Sequence, residues 1–252
     1  MNIDFHVHGA ISKSIPFGLG LFRQTLDAAR AAGLDALALT DHADAKNTDR
    51  VHRALEREFD YVGPHYLASG LRLLPGLEVG VSEGPHLIVI SDRETLGIYR
   101  QRLRLSINGQ GACPARVFFD IQEDLETLTI FAHPFRNKCE VCRVERAIFT
   151  RSDAIGLNAR DLYFHGALVR GRTEIFARTY GLPIVAGSDT HHFHQMGSVY
   201  NQFRRPFNSI ADLRLLIAEG AYRIRIHREL GDKVAAARKA KRALKKAFHY
   251  TT

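Results

Sequence analysis

Cysteine is scarce: Cys113, Cys139 and Cys142 are the three in 252 residues. So small and odd a number excludes a disulfide framework. Cys139 and Cys142 form one C-x-x-C with no second pair, so they read as ordinary loop thiols rather than a redox or metal motif. A zinc site completed by Cys113 has nothing else in the sequence to support it. No apolar run reaches the length that spans a bilayer. The opening MNIDFHVHG lacks a basic stretch followed by an apolar one, so no leader is read there and the expectation is a soluble, cytoplasmic protein. Internal repeats and Pro/Ser-rich linkers are also missing, and no convincing Ser or Cys nucleophile triad is found.

What is present is an ordinary globular balance, 45% hydrophobic and 25% charged, which excludes disorder of the whole chain. The net charge of +8 is uneven. Residues 228–252 carry eight Lys/Arg against two acids, so +6 lies there and +2 in the rest. Leu230, Val234, Ala237, Leu244 and Phe248 recur in that segment at roughly helical spacing. The division expected is a body over 1–227 and a basic amphipathic helix over 228–252. That helix either packs its apolar stripe on the body or meets nucleic acid, an anionic membrane surface or an acidic partner. Aromatic residues are not interleaved as base stacking requires.

Within the body, short apolar strands alternate with amphipathic helices, the pattern of an α/β fold with a largely parallel sheet. Strands are expected over 3–8, 36–40, 73–81, 86–90, 129–132, 154–158, 183–186 and 222–227. Helices are expected over 22–32, 49–59, 95–105, 114–125, 166–180 and 210–218. Candidate ligands cluster at strand ends: His6 and His8, Asp41 and His42, His133, and Asp189 and His191. Strand C-terminal ends of a β/α barrel share one face, where residues distant in sequence meet.

In His6-Val7-His8 the i, i+2 spacing puts both imidazoles on one side of a strand. Thr40-Asp41-His42 adds an acid and a third histidine. Glu78 is an acid in the otherwise apolar Pro75-Gly76-Leu77-Glu78-Val79, and a buried carboxylate is costly unless paired or bound to a cation. His86 follows eight residues on. Imidazole nitrogens with carboxylate oxygens suit zinc, manganese or iron rather than calcium, and the donors exceed the needs of one ion.

The ordered segments HVH, TDH, PGLEV, His86, AHPF and YGLPIVAGSDTHH resemble the motifs of the PHP (polymerase and histidinol phosphatase) family, from residue 2 to about residue 200. The resemblance implies a distorted seven-stranded β/α barrel, related to the TIM barrel, with two or three divalent metal ions. It implies that His6, His8, Glu78 and Asp189 hold one ion, that Glu78 bridges to a second held by His86 and His133, and that His42 and His191 hold a third. Asp41 is expected to orient an imidazole from behind. Lys13 and Ser14 depart from the pattern, since family members often carry a ligand for the third metal there.

The activity implied is hydrolysis of a phosphate ester by a metal-held hydroxide. Arg136 and Arg160 are the candidate phosphate clamps, and His191 is a candidate proton donor to the leaving group. The substrate expected is a nucleotide, an oligonucleotide or a small phosphorylated metabolite, with histidinol-phosphatase-like monoester hydrolysis as one alternative. A metal-binding adaptor, motivated by Lys13, is another, and hydrolysis of a non-phosphate substrate is the third.

Overall fold

The computed structural model describes residues 1–107, 111–136 and 146–251; Cys139 and Cys142 lie outside them. The strands are β1 (Asn2–Val7), β2 (Ala36–Leu39), β3 (Asp60–Val62), β4 (His65–Ala68), β5 (Leu71–Val81), β6 (His86–Ile90), β7 (Ala112–Cys113), β8 (Leu128–Phe131), β9 (Ala154–Asn158), β10 (Ile184–Gly187), β11 (Val199–Phe203) and β12 (Tyr222–Ile226). The helices are α1 (Leu19–Ala31), α2 (Lys46–Glu58), α3 (Arg93–Arg104), α4 (Ala115–Asp120), α5 (Arg146–Phe149), α6 (Ala159–Tyr180), α7 (Ile210–Ala218) and α8 (Leu230–Thr251). No helix among the described residues is long and apolar enough to cross a membrane.

One mixed sheet runs β10-β9-β8-β6-β5-β2-β1-β11-β12. The expected count of seven strands is corrected to nine on this path, because β11 and β12 extend the sheet antiparallel beyond β1. The expectation of a largely parallel sheet is corrected too: β6 runs antiparallel to both β5 and β8. The physical reason is the tight turn at 82–85, which sends the chain straight back as a hairpin.

The sheet curls until β10 meets β1. No regular ladder joins them; side chains and single backbone bonds do. The His8 N–H donates to the Thr190 carbonyl at 2.8 Å and the Asp189 N–H to the His6 carbonyl at 2.7 Å. Buried Asp4 accepts the Ser188 N–H at 2.9 Å. The buried amide of Asn201 spans the same seam: its Oδ1 accepts the Ala186 N–H at 2.8 Å, and its Nδ2 donates to the Ile3 and Ala186 carbonyls at 3.1 and 2.8 Å.

The interior is apolar. Phe5, Ala38, Leu74, Ile88, Ile130 and Val185 form one cluster with Leu213, Leu216 and Ile217 of α7. Helix α7 closes the end where the parallel strands begin, as its ties to Glu126 and Asp153 just before β8 and β9 show. The opposite end is left for polar side chains. Two further clusters fill the layers between the sheet and the outer helices.

Period-2 alternation explains most of what reaches that open end. Leu74 and Glu78 share a face, as do Ile88 and His86, and Val185 and Asp189. Strand β1 needs a correction to this rule: Ile3 and Phe5 pack in the interior, yet His6 and His8 have the other parity. Its register against β2 shifts between Asp4 and Val7. Val7 accordingly packs in the outer cluster with Leu37 and Leu39, and the two histidines turn inward.

Candidate metal centre

Glu78 is the hub. It is 1% exposed, and one of its oxygens, Oε2, lies 3.3 Å from His6 Nε2, 3.3 Å from His8 Nε2 and 3.1 Å from His42 Nδ1. The other, Oε1, lies 2.6 Å from His86 Nδ1 and 2.9 Å from His133 Nε2. Local pairing fixes this. The Glu78 N–H donates to the Asp41 carbonyl and the Ala43 N–H to the Glu78 carbonyl, stitching the extension of β2 to β5 beside His42. In the hairpin Gly80 pairs with His86 and Glu78 with Ile88, so residues 78 and 86 are diagonal neighbours on one face. Because β6 runs backwards, its first residue lies where parallel strands would end. That is why His86 joins ligands that follow their strands.

Asp189 makes the second acidic pole. Its Oδ1 lies 3.0 Å from His8 Nε2, 3.6 Å from His6 Nε2 and 3.4 Å from His191 Nδ1. Its φ of 57° is left-handed, a conformation that Asp tolerates better than most residues and that collects at functional sites. Gly187 just before it has to be glycine on steric grounds: a Cβ there would come within 2.5 Å of the His6 Cβ.

Burial would raise the Glu78 carboxyl, but the surrounding imidazoles, His6 first, outweigh it and hold the group well below the usual carboxylate range. For Asp189 burial is likewise outweighed, chiefly by Arg136. Burial drives His8, His42 and His191 down to about 3 and His133 to about 4. Burial would lower His6 as well, but Glu78 and Asp189 outweigh it and raise this ring instead. Imidazole nitrogens and carboxylate oxygens converge on one another within 3.3 Å around Glu78, the arrangement of donors that surround a cation. Both ring nitrogens of His6 and the Oε2 of Glu78 are buried without a hydrogen-bond partner. Buried polar atoms are seldom left so, and a metal ion satisfies them. Three groups have donor atoms mutually within 4.8 Å: His6, His8, Glu78 and Asp189; His42, Glu78 and His86; and His8, His42 and His191.

The other expected site residues fall into place differently. Asp41 does not orient an imidazole. Its carboxylate accepts the Gly9 and Ala10 N–H groups at 2.9 and 3.0 Å, so the expectation is corrected: Asp41 pins the loop that follows His8. Burial raises it to about 6, against those two hydrogen bonds. Arg136 is 13% exposed and committed, with Nε to Asp161 at 3.0 Å and Nη1 to Asp189 Oδ2 at 2.6 Å. It braces Asp189 and also lines the cavity over the site, where its Nη2 is buried without a hydrogen-bond partner. Arg160, at the start of α6, lines the cavity over the site with His42, His86, His133 and His191. Lys13 pairs with Asp44 at 2.6 Å, half exposed, with its charge still close enough to act on His42. His192 accepts the His194 N–H in a short 3-10 turn beside the site and belongs to none of the three donor groups.

Sequence reasoning missed three contributors. Asp161 and Asp4 carried no spacing signal. Lys241 did lie in the basic stripe, but its arrival at the cavity with Glu78 and Asp189 depends on how α8 docks.

A family model described as PHP-associated matches residues 170–222. Among solved structures, PsfC from Pseudomonas syringae PB-5123 is 22% identical, with 96% of this chain and 98% of that one covered at a TM-score of 0.79. The lesion-specific endonuclease PfuEndoQ from Pyrococcus furiosus is 15% identical over 88% of this chain and 57% of its own, at 0.66. A two-domain protein from Bacteroides vulgatus, containing a predicted PHP-like metal-dependent phosphoesterase, is 16% identical over 90% and 65%, at 0.56. The chain thus spans little more than half of the endonuclease. No curated protein matches the sequence. The structural likenesses show a shared α/β fold with a nearly closed, barrel-shaped sheet, and the family model adds a PHP-associated segment over residues 170–222. The resemblance read from HVH through YGLPIVAGSDTHH holds, and the chain is PHP-like.

Proposed function

We propose that this protein is a metal-dependent phosphoesterase. The observation that carries the proposal is Glu78, a buried carboxylate within 3.3 Å of five imidazoles with an oxygen that no hydrogen bond satisfies. An imidazole nitrogen has one lone pair and serves one ion, whereas a carboxylate bridges two. The three donor groups share His8, His42 and Glu78, so they cannot all be filled completely. The division proposed is the one the family resemblance implies: His6, His8, Glu78 and Asp189 to one ion, Glu78 with His86 and His133, which face its Oε1, to a second, and His42 with His191 to a third. Two or three ions of zinc, manganese or iron fit such donors.

Bound divalent ions supply Lewis acidity and make water nucleophilic at neutral pH. The chain's own residues do the rest. Arg136 and Asp161 hold the Asp189 carboxylate in one orientation. Asp41 fixes the loop after His8. Arg160 offers a guanidinium fork to the non-bridging phosphate oxygens at the cavity rim. His191 borders the cavity over the site and is proposed to relay a proton to the leaving oxygen when it is not engaged by an ion. The substrate class is a phosphate ester of a nucleotide, an oligonucleotide or a small metabolite, histidinol phosphate among them.

The adaptor reading rested on Lys13 occupying a ligand position. His8, His42 and His191 converge without residue 13, which favours the enzyme. The test is release of phosphate or alcohol from aryl phosphate mono- and diesters by metal-loaded protein beside Glu78→Gln. Turnover lost in the variant, together with bound metal, supports the reading. Bound metal with no turnover of any ester in the wild type overturns it.

A further inference from the structure

Helix α8 does more than pack. Its inner stripe begins with Leu230, Val234 and Ala237, all buried, and the first two sit in a cluster with Ala159, Ala186 and Val199. This is the apolar packing that the sequence pattern predicts. One further turn along, the same stripe passes the open end of the barrel and changes chemistry. Positions 241 and 245 continue the i, i+3, i+4 spacing, and both are lysines, half-buried rather than solvated. The expected apolar continuation, Leu244, is instead 37% exposed.

Two adjoining cavities meet at Lys241. The first, about 490 Å³, lies over the metal centre and is lined by Glu78, His86, His133, Arg160, Asp189 and Lys241. The second, about 230 Å³, shares Arg160, Asp189, His191 and Lys241 with it and extends under α8 to Arg238, Arg242 and Lys245. Five cationic side chains therefore border the second cavity. Its one carboxylate, Asp189, is already engaged by Arg136 and His8. None of the five makes a salt bridge among the described residues, and all five border the same hollow. Arg160 and Arg238 are held in place over the Phe164 ring, at 6.0 and 4.5 Å. Unpaired cations crowded around one hollow repel one another, and an anion relieves that repulsion.

We propose that α8 builds a second anion subsite beside the metal centre, in which Lys241, Lys245, Arg160, Arg238 and Arg242 hold a phosphate or carboxylate on the part of the substrate away from the scissile bond. The preferred substrates are therefore small phosphate esters with a second anionic group. Arg242 and Lys245, which border the second cavity and not the first, are the specificity-determining residues, and Lys241 joins the two cavities. This deepens the phosphoesterase reading and rests on it for the first cavity, so the test separates the two.

The test uses non-hydrolysable ligands on metal-loaded full-length protein. Titration calorimetry compares butylphosphonate with alkane-α,ω-bisphosphonates of two to six carbons and with the matching ω-carboxylates. The carboxylate series tells which anion the subsite prefers. The tightest dianion binds about tenfold or more better than butylphosphonate. Arg242→Ala/Lys245→Ala, at residues that border the second cavity and not the first, abolishes that preference, keeps the affinity for butylphosphonate within about threefold and leaves metal content unchanged. Arg242→Lys/Lys245→Arg restores the preference. A dianion preference without hydrolysis of any phosphate ester sinks the phosphoesterase reading and leaves the subsite standing. Hydrolysis with no dianion preference sinks the subsite and leaves the enzyme. Equal weakening of both ligands in the alanine variant also overturns the proposal. So does a result in which only a long oligonucleotide, and no small dianion, responds to the Arg242 and Lys245 substitutions.

Discussion

Replacing Asn201 by alanine tests how the barrel is closed. The amide is wholly buried and is the main side-chain link across the seam between β10 and β1. Removing it leaves the Ala186 N–H without its acceptor and takes one partner each from the Ile3 and Ala186 carbonyls. An orphaned buried donor costs about 1–3 kcal/mol, and each lost carbonyl bond a further fraction to about 1 kcal/mol. The sum expected is about 3 kcal/mol. For a chain of this size that lowers Tm by roughly 6–12 °C. The seam strands also carry His6 and Asp189, so metal retention falls with stability. Urea denaturation of metal-free wild type and Asn201→Ala measures the first effect, and elemental analysis of the holo proteins measures the second. A stability change below about 0.5 kcal/mol, the range of an ordinary surface substitution, would show that the backbone bonds at His8 and Asp189 close the barrel unaided and would refute this account of the seam.

Three further outcomes follow from the same geometry. Gly187→Ala drives a methyl into the His6 Cβ, so the protein keeps its fold but binds less metal; full occupancy would contradict the steric reading. Arg136→Lys keeps the charge but not the fork that joins Asp161 to Asp189, and kcat falls at least about tenfold with KM little changed; unchanged kcat would remove Arg136 from the positioning role. His52 is buried outside the site, and burial with Arg100 nearby lowers it to about 3. The unfolded chain binds its proton near pH 6.5 and the folded chain does not, so this group's stabilisation is complete above 6.5 and falls as pH drops towards 3. Between pH 7.5 and 5.5 the wild type loses roughly 1 kcal/mol more than His52→Leu; parallel pH profiles would dismiss it.

Much of the site was legible because its signals are local. H-x-H, an acid inside an apolar strand, and Asp-x-His after a strand each show in a few residues. What the sequence hid were effects of register and docking. The shift in β1 that turns His6 inward depends on pairing with β2. The reversed β6 that makes His86 a neighbour of Glu78 depends on a four-residue turn. Strands β3 and β7 are only three and two residues long, too short for a periodic signal. Strand β11, Val-Tyr-Asn-Gln-Phe, hides a structural asparagine among polar residues. Helix α6 starts seven residues before the expected position because Gly166 kinks it, with φ 50°, rather than beginning it. The basic stripe of α8 was visible as charge, yet only the docked helix shows two of its lysines turned towards a cavity.

The central claim is that Glu78 and Asp189 organise bound metal for ester hydrolysis. It is tested most directly by purifying the protein without a metal-chelating tag and measuring metal per chain and ester turnover on the same samples of wild type and Asp189→Ala. The account predicts two or three ions in the wild type, fewer in the variant, and turnover in the wild type alone. Wild-type protein that holds no metal after incubation with manganese or zinc, or a variant as active as the wild type, would contradict it.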